Sequence, residues 1–358
     1  MKRLLLFPYH PDVELLAQKA AEIKGYSILG VHSFQEDILA VKAVNEKLGC
    51  NGSFVEMLHK CDALLLLDDY RESKMDKYYE VIQSAINIGK QVFITPLAAQ
   101  KLDLAAYQGF YTILRNAPKS DLAKIIKEPM QGRVKYIIES PIIAVFGMGK
   151  SCCKFENQIL IKSMLAQEGY RFAWISSNTL GALYGGYTMP DFLYDNYLAF
   201  EEKVIRFNQF VYQISVVEKP DVIVIGVPEG ISEFSAHEYN HFAEYPLVVG
   251  SAVSVDSAVL CTYFLPKLDV DGMKRTLFHY RERFGFPVHM VSVGRTTFER
   301  MREFQQIAYL FLEEEYLQKH YESAENQPDV FVGVWETKKI EDAIQKVFDR
   351  LRGNPDAI

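Results

Sequence analysis

Disulfide chemistry is what the sequence is least equipped for. Its five cysteines are an odd number, Cys152 and Cys153 are adjacent, and no C-x-x-C pair occurs. That pattern excludes a disulfide framework and a paired-cysteine zinc site, and predicts reduced thiols. Long apolar runs are missing too. The basic N-terminus leads only into Leu4 to Phe7 before Pro8, too short for a signal peptide or a membrane span. The expectation is a cytoplasmic protein without a membrane partner.

Positive charge is also scarce. Lys and Arg number 39 against 46 Asp and Glu, for a net charge of −7. A nucleic-acid groove needs a basic stripe to neutralise phosphates. The single modest cluster, Arg275 to Arg283, reads as a solvated helix face, so no nucleic-acid partner is expected. What the chain does have is apolar content, 49% against 24% charged residues over 358 positions. That is enough for a large core and more than one core usually organises, which predicts two domains.

The first third alternates short apolar runs with helical spacing: "RLLLF", then "VELLAQKAAEIKG", "YSILGV", "DALLLLDDY", "YYEVIQSAINIGK" and "QVFITPL". Continuous apolar strands between amphipathic helices predict a parallel sheet covered on both faces, here an α/β Rossmann-like or flavodoxin-like domain over about 1–130. No glycine fingerprint for a dinucleotide follows its strands, and Asp68 and Asp69 read as a turn and helix cap. The mixed Pro, Gly and charged stretch at 127–140 marks a boundary. A second α/β series, 140–358, contains a helix over about 155–168, another over about 195–217, strands in "YPLVVGSAVSVDSAVLCTYF", and a long helix in "RMREFQQIAYLFLEEEYLQKHYES".

The richest stretch is "IIAVFGMGKSCCKFENQ", a strand, a glycine-containing loop and a helix, the layout a phosphate-binding loop requires. Gly147 and Gly149 let backbone N–H groups approach an anion, the helix adds its positive end, and Lys154 supplies a point charge. Lys150 and Ser151 lie in the same loop. The glycine-to-lysine interval exceeds the standard P-loop by two residues and resembles that of dethiobiotin-synthetase-class proteins. Two departures stand out against that class: Cys153 replaces a glycine, and Phe155 replaces the Ser or Thr that holds magnesium. They point to a degenerate loop that binds a nucleotide, a coenzyme or another anion, with a purely structural turn as the alternative. Cys152 and Cys153 beside a helix N-terminus could act as nucleophiles with a lowered pKa, or simply fill the loop. "PDVIVIGVPEG" lacks the acid expected before its glycine, since Ile225 precedes Gly226; Glu229 is the candidate substitute if the loop folds back.

His237-Glu238-Tyr239-Asn240-His241 spells the H-E-x-x-H of zinc peptidases, with His237 and His241 as the metal candidates. Against it, Ser235 and Glu238 form a capping box, Pro246 closes the segment, and no third ligand follows. A short capped helix is the plainer expectation.

With "FGMGKSCCKFENQ", "KPDVIVIGVPEGI" and "YNHFAEYPLVVGSAVSVDSAVL" together, the chain resembles a clostridial family of peptide maturation-system proteins, most strongly over about 140–265. That family in turn resembles a wider group in which a Rossmann-like domain is fused to a dethiobiotin-synthetase-like P-loop domain. The resemblance implies an accessory protein in the maturation of a ribosomally made natural-product peptide, with the precursor peptide and a radical-SAM maturase as partners. It implies a nucleotide or an acyl-coenzyme or phosphopantetheine group at the loop, and carries over Gly147, Gly149, Lys154 and the Asn240-His241-Phe242 segment. Some members of the wider group are thought to transfer acyl groups to amino acids, so an ATP-dependent ligase or acyltransferase, with Glu229 or His241 catalytic, is the rival reading. A zinc peptidase is the remote one. Homo-oligomerisation is left open.

Overall fold

The computed structural model describes residues 1–68, 75–114, 132–231, 233, 239–267, 269–301, 306–322 and 331–353. The chain divides into two compact units, Met1–Asn116 with Thr179–Gly186, and Ala117–Asn178 with Tyr187–Ile358. The boundary stretch expected at 127–140 begins outside the described residues.

The first unit is a five-stranded, all-parallel sheet of β1 (Lys2–Phe7), β2 (Tyr26–Val31), β3 (Ala63–Leu66), β4 (Gln91–Ile94) and β5 (Tyr111–Ile113), in the order β2-β1-β3-β4-β5. This is the flavodoxin-like order. Every residue of β3 is buried, as a strand covered on both faces requires. Ser53 and Glu56 form a capping box on the helix Phe54–Lys60. Asp68 Oδ1 accepts from Thr95 Oγ1 at 3.4 Å; Asp69 lies outside the described residues. The segment Thr179–Gly186 belongs to this unit through Lys24 N–H donating to the Leu183 carbonyl at 2.8 Å, and through the buried Tyr184.

The second unit holds a seven-stranded parallel sheet of β6 (Ile142–Gly147), β7 (Phe172–Ser176), β8 (Tyr187–Thr188), β9 (Val222–Gly226), β10 (Ser257–Thr262), β11 (Val288–Val293) and, after the short pair β12 (Thr296–Met301) and β13 (Gln306–Phe311), β14 (Phe331–Gly333). The order is β14-β11-β10-β6-β9-β7-β8. The strand that delivers the glycine loop is therefore central, between β9 and β10, where the chain changes direction across the sheet. Open α/β sheets bind ligands at such a point, beyond the carboxyl ends of the strands. Ile142, Ala144 and Phe146 face a core built with Phe207, Val248, Val249 and Phe286. Among the described residues no helix is long and apolar enough to cross a membrane.

Two expected elements differ. "YPLVVGSA" is not a strand but most of the helix Glu244–Ala252, with Pro246 in its first turn, where the missing N–H costs nothing. A short apolar run has no periodicity that separates a buried helix from a buried strand. The long helix expected from Arg300 is instead the antiparallel pair β12 and β13 followed by the helix Glu314–His320. Alternate residues win there: Phe298 packs edge-on against Tyr263 at 5.2 Å, and Tyr309 stacks on the same ring at 6.0 Å.

Candidate functional site

β6 ends at Gly147, paired in register with Cys261 of β10, and the helix Lys154–Gln167 begins seven residues later. Between them the backbone turns left-handed twice at residues with side chains, Ser151 at φ 53° and Cys153 at φ 60°. The cysteine that was expected to spoil the loop geometry adopts the glycine-like conformation instead. Such a conformation costs an L-residue about 1–2 kcal/mol, a strain characteristic of functional loops.

The glycines do more packing than expected. A Cβ on Gly147 would overlap the Cys152 thiol, and one on Gly149 would overlap the Tyr263 hydroxyl. Those groups brace the loop from within: Cys152 Sγ lies 3.1 Å from the Gly149 carbonyl, and Tyr263 Oη donates to the Lys150 carbonyl at 2.7 Å. Cys152 is fully buried, which suits filling rather than attack. Cys153 is half-buried, and burial, followed by the charge of Glu156, pushes its thiol well above the ordinary range. The expectation of a lowered pKa is overturned: the desolvation cost of a thiolate exceeds what the helix end returns. The sulfur instead accepts the Arg295 N–H at 3.4 Å, while Arg295 Nη2 holds Glu156 at 2.6 Å. Nothing before the fold pointed to Arg295, whose only sequence signal is its place just past the end of β11.

Lys154 Nζ curls back to donate to the carbonyls of Gly149 at 2.6 Å and Glu229 at 2.7 Å. The loop after β9 therefore does fold back onto the glycine loop. Glu229 is left-handed at φ 54°, and its Oε2 lies 3.4 Å from Lys150 Nζ. That oxygen is sealed from solvent and, among the described residues, receives no aligned hydrogen bond. Ser151 is exposed at the loop's tip. The structure thus brings Gly147, Gly149, Lys150, Ser151, Lys154 and Glu229 together.

The magnesium position does not fit a metal. Phe155 is buried and stacks on Trp174 at 6.2 Å, offering no oxygen. Gly226 at the end of β9 has a different use: a Cβ there would overlap Gln158. Gln158 accepts from Trp174 Nε1 at 3.1 Å and donates to Ser177 Oγ at 2.9 Å and the Lys154 carbonyl at 3.1 Å. The position before Gly226, where a hydrolase would carry its acid, holds the core residue Ile225.

His237 and Glu238 lie outside the described residues. The capped right-handed helix expected to carry the pair does not extend through His241. Asn240, His241, Phe242 and Ala243 all have positive φ, from 46° to 65°, a left-handed turn. His241 is exposed, its ring 5.0 Å from Tyr245. Among the described residues no group of three or more His, Cys, Asp or Glu is placed to hold a metal ion. The turn does reach the loop, since Asn240 Nδ2 donates to the Met148 carbonyl at 3.3 Å. Its other end is fixed by Glu244, which pairs at 2.6 Å with the buried Lys203. Tyr194 and Tyr245 pack edge-to-face at 5.4 Å. Burial, then neighbouring groups including the Glu229 charge, push both phenols up, so they remain neutral.

No protein-family model and no curated protein matches the chain. Among solved structures it is similar to a DUF1611 family protein from Anabaena variabilis, with 12% identity over 97% of this chain and 100% of that one, at a TM-score of 0.58. It also matches, at TM-scores too low to carry an argument, an ADP complex of a nucleotide-binding protein from Archaeoglobus fulgidus (0.30; 13% identity, 65% of this chain, 94% of that one) and a LAO/AO transport system kinase (0.37; 13% identity, 68% and 75%). What the first likeness shows is the fold: a two-unit α/β architecture of parallel sheets shared with a solved protein over nearly the whole length.

Proposed function

We propose that the second unit holds a phosphate-bearing ligand, a nucleotide or an acyl-coenzyme or phosphopantetheine group, at Gly147 to Lys154, without hydrolysing it. The observation that carries this reading is the loop itself. Ser151 and Cys153 are held left-handed at a cost in stability, ahead of a helix whose N-terminus has no side-chain cap, with Lys154 turned into the same loop. Orphan N–H groups, a dipole end and an ammonium group in one place form an anion site. Phe155 and Ile225 stand in place of the metal-binding hydroxyl and the strand-end acid, so binding is favoured over ATP hydrolysis or ATP-dependent ligation.

The role that frames this binding is that of an accessory protein in peptide maturation, which engages the precursor peptide or the radical-SAM maturase. Its support is the sequence resemblance. Acyl transfer is the second reading, because it needs no magnesium and Glu229 lies beside the loop. Native mass spectrometry with ATP, with and without magnesium, and with acetyl-coenzyme A tests the site. Lys154→Ala is expected to lose retained ligand at least tenfold while precursor peptide is still captured in a pull-down. Equal loss of both would refute the separation of roles, and unchanged retention would remove the loop as the site.

A further inference from the structure

Resting on that reading, we infer that Glu229 sets the charge of ligand the loop accepts, favouring a ligand with few phosphate charges over a triphosphate. Both loop lysines are turned toward residue 229: Lys150 toward its carboxylate at 3.4 Å and Lys154 toward its carbonyl at 2.7 Å. A phosphate that enters the loop competes with this residue for both ammonium groups. The carbonyl is a neutral acceptor and yields to a phosphate oxygen. The carboxylate is different, because it stays beside the incoming anion.

Two features keep the carboxylate there. The residue is locked in a left-handed backbone conformation. One carboxylate oxygen is sealed from solvent, so the repulsion is not screened as it would be in water. The Glu229 carboxylate, 3.4 Å from Lys150, offsets part of the positive charge that Lys150 and Lys154 bring to the loop. The remainder suits a monophosphate, a phosphodiester or the pyrophosphate diester of a coenzyme. Each further phosphate charge meets the same fixed carboxylate, so its penalty grows along the series AMP, ADP, ATP. The loop's lysines would otherwise favour the most highly charged member.

The test is calorimetric titration at low salt, in chelator, of the full chain with AMP, ADP, ATP and dephospho-coenzyme A. The wild type, Glu229→Gln, Glu229→Asp and Lys154→Ala are compared, with a thermal melt of each to establish folding. Glu229→Gln should tighten ATP about tenfold, the scale of one partly screened unit charge at a few ångströms, and tighten AMP and dephospho-coenzyme A by much less. Glu229→Asp, which keeps the charge, should retain the wild-type order. A gain that is absent, or equal for all four ligands, while wild type binds and Lys154→Ala does not, overturns the role of Glu229 and leaves the loop standing. Binding by none of the folded proteins, or binding that survives Lys154→Ala, overturns the loop reading and this inference with it.

Discussion

The H-E-x-x-H spelling makes His241 a weak metal candidate and the resemblance makes it a catalytic one, and the backbone gives it another character. It sits second in a run of four left-handed residues, with its side chain exposed. A side chain at that φ destabilises the native state, and glycine removes the steric cost while adding unfolded-state entropy. The balance favours His241→Gly as the more stable protein, by roughly 0.5–1 kcal/mol, to be read as a raised denaturant midpoint. A drop in the midpoint would mean the imidazole makes a stabilising contact that outweighs the strain. The same residue shows where reading the sequence stops. H-E-x-x-H is a statement about spacing along a right-handed helix, and spacing carries no meaning once the backbone winds the other way. By contrast, Gly147, Lys154 and the loss of the metal-binding hydroxyl at Phe155 were legible, because loop chemistry depends on residue type and order. Gln158 and Arg295 were not, since the side chains they meet lie at least 16 and 139 positions away.

At the scale of elements, the parallel strands were legible because complete burial writes them as unbroken apolar runs. The helix Glu244–Ala252 is equally apolar and was misread for that reason, and β13 was read into a helix because its unbroken apolar run from Ile307 has no periodicity that separates the two. Strand pairing also carries a pH dependence. His289 on β11 shares a 2.9 Å hydrogen bond with Ser257 of β10. Burial, then the positive charges of Arg350 and Arg281, hold the imidazole below its usual pKa of 6.5. Because the folded pKa is depressed, the unfolded chain takes the proton first as the pH falls. The stabilisation is complete above about 6.5 and is lost as the pH drops below that value toward the folded pKa. A melting series from pH 7.5 to 5.5 should show a falling Tm in the wild type and a shallower fall in His289→Gln. Parallel curves would show that the imidazole does not carry the effect.

For the whole molecule, the two units are not consecutive pieces of chain. Thr179–Gly186, from between β7 and β8, completes the first unit, where Leu183 accepts the Lys24 N–H and Tyr184 is buried. No change of composition marks this return, so it was not legible in the sequence. A fragment ending near residue 130 should therefore melt several degrees below the corresponding transition of the intact chain, and expose apolar surface to a dye such as ANS. An unchanged melting temperature would show that the returning segment is dispensable. The arrangement also imposes a timetable on synthesis. After Asn116 leaves the ribosome, about 60 further residues must follow before Thr179 is available. At about 5–20 residues per second the nascent first unit waits roughly 3–12 seconds for its last piece, and during that interval its core lacks Tyr184.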